Sequence, residues 1–492
     1  MKNYSLTVHC GGETRVLCAD GEKSILESLG TAHISVDAPC GGRGVCRKCT
    51  VELKGILRAF EGNNIIEADG EVLACRYAPA GDCEVWLAPE EELRIATGEK
   101  STIAGGGEGL GLAIDIGTTT VVSALYDLGT GECLGEKSEL NAQRGFGADV
   151  ISRIEHCRKG SFEDICECTA KQLSQLGEKD NITRVSIVGN TVMEHLAAGL
   201  DPTPLAVPPF TVRSLFGEAV KSAVWPEAEV YFARCVSAYV GGDVLAGMYA
   251  CDMQNAEGLQ LYVDMGTNGE IAMGNREGYV TCATAAGPAF EGAEISCGMH
   301  AAKGAVDRVW TENGEIFIHV IGGGRAKGIC GSGLIDAVAV MLELGIVGKS
   351  GRLMSIDKYA DRYTVIDGAK SFAIAEGVYL TAHDIRKVQL AKAAIRAGIE
   401  TLLGGREITG LTVAGGFGKY INIRSAVKIG LLPHVSEDII NQGGNAAAKG
   451  AVLLLEKGRK EELMSLAERC SYHDLSSSAE FSKNYIDYLN FR

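Results

Sequence analysis

The sequence predicts a small α+β domain followed by a two-lobed α/β unit, and three observations carry that prediction. A loop rich in cysteine and glycine lies within the first 90 residues. An apolar strand running into an acidic Gly/Thr turn occurs twice, with Asp115 and Asp264 at matching positions 149 residues apart. Between the loop and the first such turn, periodicity fades through Pro89 and Glu90–Glu92 into Gly105, Gly106 and Gly107. That composition reads as a linker, flexible in its last part. Self-similarity at so long a spacing points to duplicated lobes.

Residues 4–9 and 14–18 alternate as a hairpin, 22–30 carry a helical pattern, and 71–75 and 83–87 read as returning strands. Between that helix and the later strands run Cys40, Cys46 and Cys49, with Cys75 beyond them. Four such thiolates suit the two irons of a [2Fe–2S] cluster, and the gaps come close to the plant-type spacing with one extra residue in the first. Gly41, Gly42 and Gly44 suit a loop that wraps tightly and turns backbone N–H groups toward cluster sulfides. Structural zinc and buried free thiols are the alternatives. Zinc prefers paired knuckles, and only one short pair is present. The arrangement resembles the β-grasp ferredoxin fold. Arg43, Arg47, Lys48 and Arg76 flank the ligands; they either raise the cluster potential and dock an acidic partner, or form a solvated rim.

At 492 residues the chain is long enough for roughly two to four domains. Hydrophobic residues at 46% and charged residues at 22% describe an ordinary globular composition. The formal charge of −16 argues against a nucleic-acid partner. No apolar run approaches the ~18 residues of a membrane span, and the first ten residues lack a signal-like apolar stretch. Seventeen cysteines without such a signal point to a reducing cytoplasm, low in oxygen. Cys166 and Cys168 fall on a helix and read as core thiols.

The expected division is 1–90 for the cysteine domain, 91–111 for the linker, 112–258 and 259–470 for the two lobes, and 471–492 for a tail that packs on the surface or frays. A helix late in the second lobe is expected to return to the first. Helices are expected at 147–158, 163–176, from 334, and at 382–403. A strand at 184–188 runs into Gly189, a proline-rich loop covers 202–209, and a buried strand at 411–414 enters Gly415.

The repeated turns have a direct chemical use. Gly117, Thr118, Thr119 and Thr120 in one, and Gly266, Thr267 and Asn268 in the other, offer N–H and hydroxyl donors to phosphate oxygens. Asp115 and Asp264 at the strand ends suit a hydrated Mg²⁺. One such turn is weak evidence; two facing turns grip a phosphate chain from both sides. Gly415, Gly416 and Phe417 let the backbone approach an adenine ring, and Gly331, Ser332 and Gly333 open a helix that adds N–H donors. The P-loop pattern is absent from the sequence.

These elements resemble the nucleotide-binding motifs of the acetate kinase, sugar kinase, Hsp70 and actin superfamily, which implies a two-lobed ATPase. Joined to a [2Fe–2S] domain, they resemble the ATP-dependent reductive activators of corrinoid proteins. The stretches carrying that resemblance are Gly147–Arg153, Val188–Met193, Asp264–Glu270, Cys282–Gly292, Gly328–Asp336 and Ala414–Gly418. The resemblance implies reduction of a Co(II) corrinoid to Co(I) with ATP, Mg²⁺ and the chain's own cluster. It implies a corrinoid protein of a methyltransferase system as partner and a ferredoxin or flavin reductase upstream, and it allows a homodimer. By analogy with related kinases, Asp243 positions the attacking water; Glu270 and Glu291 compete for that role or pair structurally. Lys303 and Arg308 are candidates near the nucleotide without an assigned role. With only the linker between cysteine domain and ATPase, the chain reads as a short form lacking the activators' middle domain. Three other readings stay open: an electron donor to another low-potential metalloenzyme, a metabolite kinase with a redox-sensing cluster, and an ATP-gated binding module.

Overall fold

Alternating apolar residues along Asn3–Cys10 (β1) and Glu13–Asp20 (β2) form an antiparallel hairpin whose inner face buries Leu6, Val8 and Ala19. Helix α1 (Ile25–Thr31) starts at a reciprocal cap: the Glu27 N–H donates to Ser24 Oγ at 3.0 Å and the Ser24 N–H to Glu27 Oε2 at 2.7 Å. Strands β3 (Thr50–Ala59), β4 (Ile65–Leu73) and β5 (Tyr77–Leu87) complete a five-stranded sheet of order β2-β1-β5-β3-β4. Strand β3 was not among the expected elements. It lies between β4 and β5, and the turn at residues 74–76 carries Cys75 out of the ladder. The computed structural model describes residues 2–10, 12–32, 34, 36, 38, 42, 44, 48–87, 102–147, 149–177, 181–208, 210–416, 418 and 420–491.

The first lobe is built on β6 (Leu110–Ile116), β7 (Thr120–Asp127) and β8 (Cys133–Leu140), with α2 (Val150–His156) and α3 (Phe162–Leu176) against them. Then come β9 (Ile182–Gly189), α4 (Thr191–Ala197), β10 (Ala219–Val220), β11 (Glu229–Phe232) and α5 (Gly242–Ala250). The sheet order is β10-β11-β9-β6-β7-β8.

The second lobe repeats the plan. Strands β12 (Gln260–Met265), β13 (Gly269–Asn275) and β14 (Gly278–Thr284) form its meander. Two small sheets follow: β15 (Ala305–Glu312), β16 (Glu315–Val320) and β17 (Gly328–Ile329), then, beyond α6 (Gly331–Glu343), β18 (Tyr363–Ile366), β19 (Ala369–Ala375) and β20 (Val378–Thr381). Helix α7 (Ala382–Leu403) carries a capping box at Thr381 and Asp384. Next are β21 (Gly410–Ala414), α8 (Ile423–Lys428), β22 (Ile440–Gly444), α9 (Ala446–Leu453), α10 (Arg459–Glu468), β23 (Cys470–Tyr472) and α11 (Ala479–Asp487). The main sheet runs β22-β21-β12-β13-β14-β23. In each lobe the meander's first strand pairs in parallel with a later strand, β6 with β9 and β12 with β21. Both phosphate-type turns therefore open at the same edge of their sheets.

Helix α9 crosses back onto the first lobe: Ser186 Oγ donates to the Ala451 carbonyl at 2.5 Å and Arg184 to that of Leu455 at 3.0 Å. Residues 102–107, expected to be the flexible end of a linker, are tied down. The Gly106 and Gly107 N–H groups donate to Gly129 and Leu128 at 3.0 and 2.8 Å, and Ile103 is buried. The last segment docks as well: β23 pairs with β14, α11 lies along α7, and Phe491 is buried. Fully buried Lys392 donates to the Tyr488 and Asn490 carbonyls and lies over the Phe491 ring. Among the described residues, no helix is long and apolar enough to cross a membrane.

Because Lys392 supplies charged hydrogen bonds to two carbonyls of the C-terminal segment, Lys392→Met leaves both without that donor. Its unfolding free energy should fall by about 2 kcal/mol, read as a lower urea midpoint with earlier proteolytic release of 479–491. An unchanged midpoint would show that the C-terminal segment is held by apolar packing alone.

Candidate nucleotide cleft and iron–sulfur loop

A cavity of about 470 Å³ opens between the two lobes. Asp115 closes β6, and Gly117, Thr118, Thr119 and Thr120 turn the chain into β7; all five line the cavity. Asp264 on β12 and Gly266, Thr267 and Asn268 in the next turn line the opposite wall, with Glu270 on β13 behind them. Asp243 enters from the first turn of α5. Gly331 and Ser332 at the start of α6 are on the wall, as are Gly415 and Gly416. Gly333 is not: it packs against β15, where a Cβ would lie 2.2 Å from the Val306 carbonyl oxygen. Phe417 lies outside the described residues, and neither Lys303 nor Arg308 is among the lining residues.

The turns are fixed from behind by groups that local pattern does not reveal. Arg153, fully buried on α2, donates to the Thr118 carbonyl, to Gly147 at 3.0 Å and to Gln143 at 3.1 Å. Burial and the neighbouring Arg144 hold its guanidinium down at about 9. Asn141 Nδ2 donates to the Gly117 carbonyl at 2.7 Å, and Asn190 Nδ2 to Thr118 Oγ1 at 3.0 Å. Asn190 itself lines the cavity, after β9. Its sequence signals are a strand ending in Gly-Asn and a place in the stretch Val188–Met193, neither of which assigns it a role. Asn445, the cap of α9, reaches Asp115. On the second lobe, Gly415 adopts φ +104°, and a Cβ there would sit 2.3 Å from the Met265 carbonyl oxygen and 2.9 Å from Asp264 Oδ1. Only glycine permits that approach.

The cleft is acidic, and among the described residues that line it there is no lysine or arginine. Burial, and the proximity of Asp264, push the Asp115 carboxyl up to about 7 although Asn445 favours its charged form. Burial and the charges of Asp264 and Asp115 push Asp243 up to about 8. Burial raises Asp264 to about 6 against the opposing hydrogen bond from Tyr262 Oη at 3.1 Å. Glu270 is raised well above the carboxylate range by burial, then by Asp243 and Asp264. These carboxylates share a wall with His300 and His319, and among the described residues no three acidic, histidine or cysteine side chains stand close enough together to hold a metal ion by themselves. Glu291 is placed differently. Its carboxylate accepts from Thr119 Oγ1 at 2.5 Å and from Thr267 Oγ1 at 2.7 Å, bridging the two turns.

In the first domain Cys49 and Cys75 are both buried, and the Ala74 N–H donates to the Cys49 carbonyl at 2.8 Å, drawing the Cys75 turn onto the loop. Gly42 sits against the same turn: a Cβ on it would be 3.9 Å from Cys75 Cβ. Two buried thiols on adjoining turns are of the ligand type that an iron–sulfur cluster takes. Cys40 and Cys46 lie outside the described residues, as do Arg43 and Arg47. The other flanking cations are engaged within the chain rather than forming a free rim. Arg76 pairs with Glu61 and donates to the Gly44 carbonyl at 3.1 Å, and Lys48 Nζ donates to the Gly298 carbonyl of the second lobe at 2.9 Å.

Comparison with known proteins matches each part of this architecture. Residues 8–80 match the 2Fe-2S iron-sulfur cluster binding domain, 110–256 the RACo middle region, and 258–492 the C-terminal domain of RACo, the ASKHA domain. The second of these overturns the expectation of a short form without a middle domain. The stretch read as the first ATPase lobe is the one the middle-region model covers, so no separate insert is found between linker and lobe. The chain is 34% identical over 412 residues to the corrinoid activation enzyme RamQ of Eubacterium limosum, covering 76% of this chain and 69% of that one. It is 25% identical over 430 residues to a Methanosarcina barkeri protein named [Co(II) methylated amine-specific corrinoid protein] reductase, covering 77% of each. A solved structure, titled reductive activator for corrinoid, iron-sulfur protein, superposes with a TM-score of 0.71 at 28% identity over 99% of this chain and 98% of that one. An iron–sulfur domain, a middle region and an ASKHA domain in that order, with this degree of identity, make the chain a member of the RACo family of corrinoid-protein activators.

Proposed function

We propose that this chain is an ATP-dependent one-electron reductive activator that returns a Co(II) corrinoid to Co(I) in a corrinoid protein of a methyltransferase system. The observation that carries the reading is the union, in one chain, of a domain that buries Cys49 and Cys75 with an acid-lined cleft between duplicated lobes. A ferredoxin or flavin reductase is the class of upstream donor. Bound by Cys40, Cys46, Cys49 and Cys75, a [2Fe–2S] cluster supplies one-electron transfer at low potential. Plant-type clusters lie near about −400 mV, and Co(I) is harder to reach. A gap of roughly 100–200 mV corresponds to about 2–5 kcal/mol for one electron, which differential binding of a nucleotide can supply.

Each residue of the cleft has a part in this reading. Thr118, Thr119, Thr267 and Asn268 donate to phosphate oxygens, and Gly331 and Ser332 present N–H groups at the head of α6. Gly415 and Gly416, with Phe417, face the adenosine. Asp115 and Asp264 hold the water shell of Mg²⁺, which neutralises phosphate charge when bound. Asp243 accepts the proton of the attacking water: it stands on the wall at the start of α5, and its raised basicity suits that task. Glu270 stays behind the wall as a competitor, whereas Glu291 is engaged by two hydroxyls.

The decisive experiment is anaerobic. Reduced protein is mixed with a Co(II) corrinoid methyltransferase protein, and the visible spectrum is followed with and without Mg·ATP. The Co(II) band should give way to that of Co(I) only with ATP. Asp264→Asn should slow this by about 10²-fold or more while leaving the cluster spectrum intact. Phosphorylation of a small acid or sugar without cobalt reduction would move the assignment to a kinase.

A second expectation concerns pH. Carboxyls raised in the folded state bind more protons than in the unfolded chain, so their contribution lowers stability as pH rises from about 4 to about 8. Mg²⁺ requires the deprotonated forms, so its affinity should climb over the same upper range. Thermal unfolding should show a Mg²⁺ stabilisation larger at about pH 8.5 than at about pH 5.5. Equal stabilisation at both would remove the metal from these aspartates.

A further inference from the structure

The segment from Pro288 to His300 touches both the cleft and the iron–sulfur domain. Glu291, held by one hydroxyl from each lobe, stands where the anionic oxygens of a nucleotide find their donors. Gly292 follows at φ +78°, and a Cβ there would lie 2.6 Å from the Met299 carbonyl oxygen. A Cβ on Gly298 would lie 2.0 Å from the Gly292 carbonyl oxygen. The two ends of the loop are thus in backbone contact with no slack between them. The Gly298 carbonyl is the acceptor for Lys48, the residue before Cys49. Lys48, Thr119, Arg144, Glu291 and Gly298 line one small cleft that joins the first turn to the cysteine loop.

The outer half of the segment is anchored elsewhere. Ser296 N–H and Oγ donate to Asp384 Oδ1 at 2.9 and 3.2 Å, and Lys387 donates to the Glu294 carbonyl. The loop is therefore fixed on α7 while its inner strands span from phosphate turn to Lys48. Besides this contact, the first domain meets the first lobe where Gly145 lies against Gly30: a Cβ on Gly145 would be 3.6 Å from the Gly30 Cα.

Resting on the reading of the cleft as a nucleotide site, we propose that Glu291 is a positioning residue that couples nucleotide occupancy to the seating of the iron–sulfur domain. Terminal phosphate oxygens take over the Thr119 and Thr267 hydroxyls, since two anions cannot share them. The displaced carboxylate carries Gly292 and Gly298 with it, and the Lys48 hydrogen bond opens. The iron–sulfur domain, released at Lys48, is then free to approach a partner.

The test labels lysine amines anaerobically in the cluster-loaded full chain and reads each site by mass spectrometry. Lys54 on the same domain, exposed beside Asp69, is the internal reference. A non-hydrolysable ATP analogue with Mg²⁺ should raise the labelling rate of Lys48 about tenfold, the scale of one lost charged hydrogen bond, and leave Lys54 unchanged. Glu291→Ala should show the raised rate without nucleotide and no further rise with it, and Glu291→Gln should fall between. Equilibrium dialysis of the analogue runs in parallel. Bound analogue with an unchanged Lys48 rate in the native sequence overturns the coupling alone, whatever the variants do. Failure to bind any nucleotide overturns the reading of the cleft and the coupling with it.

Discussion

The cleft depends on bringing carboxylates of like charge to the ends of strands that belong to different lobes. Asp115 and Asp264 occupy equivalent positions on β6 and β12, and Asp243 joins them from α5. Burial raises the proton affinity of these carboxyls most, and the like charges of their neighbours add to the effect at Asp115 and Asp243. Left alone, such an arrangement opposes folding. It persists because the rest of the structure over-determines it. Arg153 pins the first turn from beneath, Gly415 lets β21 close on Asp264, and α9 brings Asn445 from the second lobe's sequence to Asp115. On the proposed reading of the cleft, a divalent cation and its nucleotide would relieve these unfavourable electrostatics.

On the coupling proposed above, nucleotide occupancy bears on the cysteine domain because the two sites share a backbone segment. Coupling between distant sites needs an element with two discrete arrangements that both sites bias. A tight loop fixed at its outer end and packed glycine to glycine at its inner end meets that requirement better than a flexible one. The Lys48 contact is of suitable strength. A charged hydrogen bond contributes about 1.5–3 kcal/mol, enough to hold a small domain in place and little enough for a bound triphosphate to break. Stronger docking would hold the domain against the cleft throughout a cycle.

What was legible in the sequence is what chemistry fixes locally. Cysteine spacing, an acid at a strand end followed by Gly and Thr, and a glycine run after a buried strand all stand out within a few residues, and the last two kinds of turn line one cavity in the fold. What escaped is what tertiary packing assembles. Arg153 sits on an amphipathic helix and looks like any polar position until its buried contacts with Thr118 and Gly147 are seen. Asn190 and Asn445 are cap residues whose side chains also face the cleft, and a cap gives no sign of a second duty. Gly333 has the local context of a phosphate donor, yet its lack of a side chain serves the approach of β15. The tail and the Gly105–Gly107 stretch are polar or glycine-rich, which signals mobility only when no strand edge is at hand. Here β14 and the turn after β7 supplied one. The middle region escaped for a related reason: it carries the first phosphate turn itself, so no compositional break separates it from the nucleotide unit.

The two lobes also show how a duplication divides its labour. In both, a parallel strand beside the Asp-bearing strand ends at the cleft, β9 at Gly189 and Asn190, β21 at Ala414 and Gly415. The first lobe fills that position with a side chain, and Asn190 ties the turn to Thr118. The second leaves it as bare backbone, and Gly416 has nothing within 4 Å of where a Cβ would stand. One end of the cleft is thereby stiffened around the phosphate turn while the other keeps room for a planar ring. A symmetric pair of asparagines would obstruct the ring, and a symmetric pair of glycines would leave Thr118 without its partner. On the proposed nucleotide reading, the asymmetry at these two strand ends would favour one direction for the nucleotide, with its terminal phosphates toward Thr119 and Glu291, which share a small cleft with Lys48.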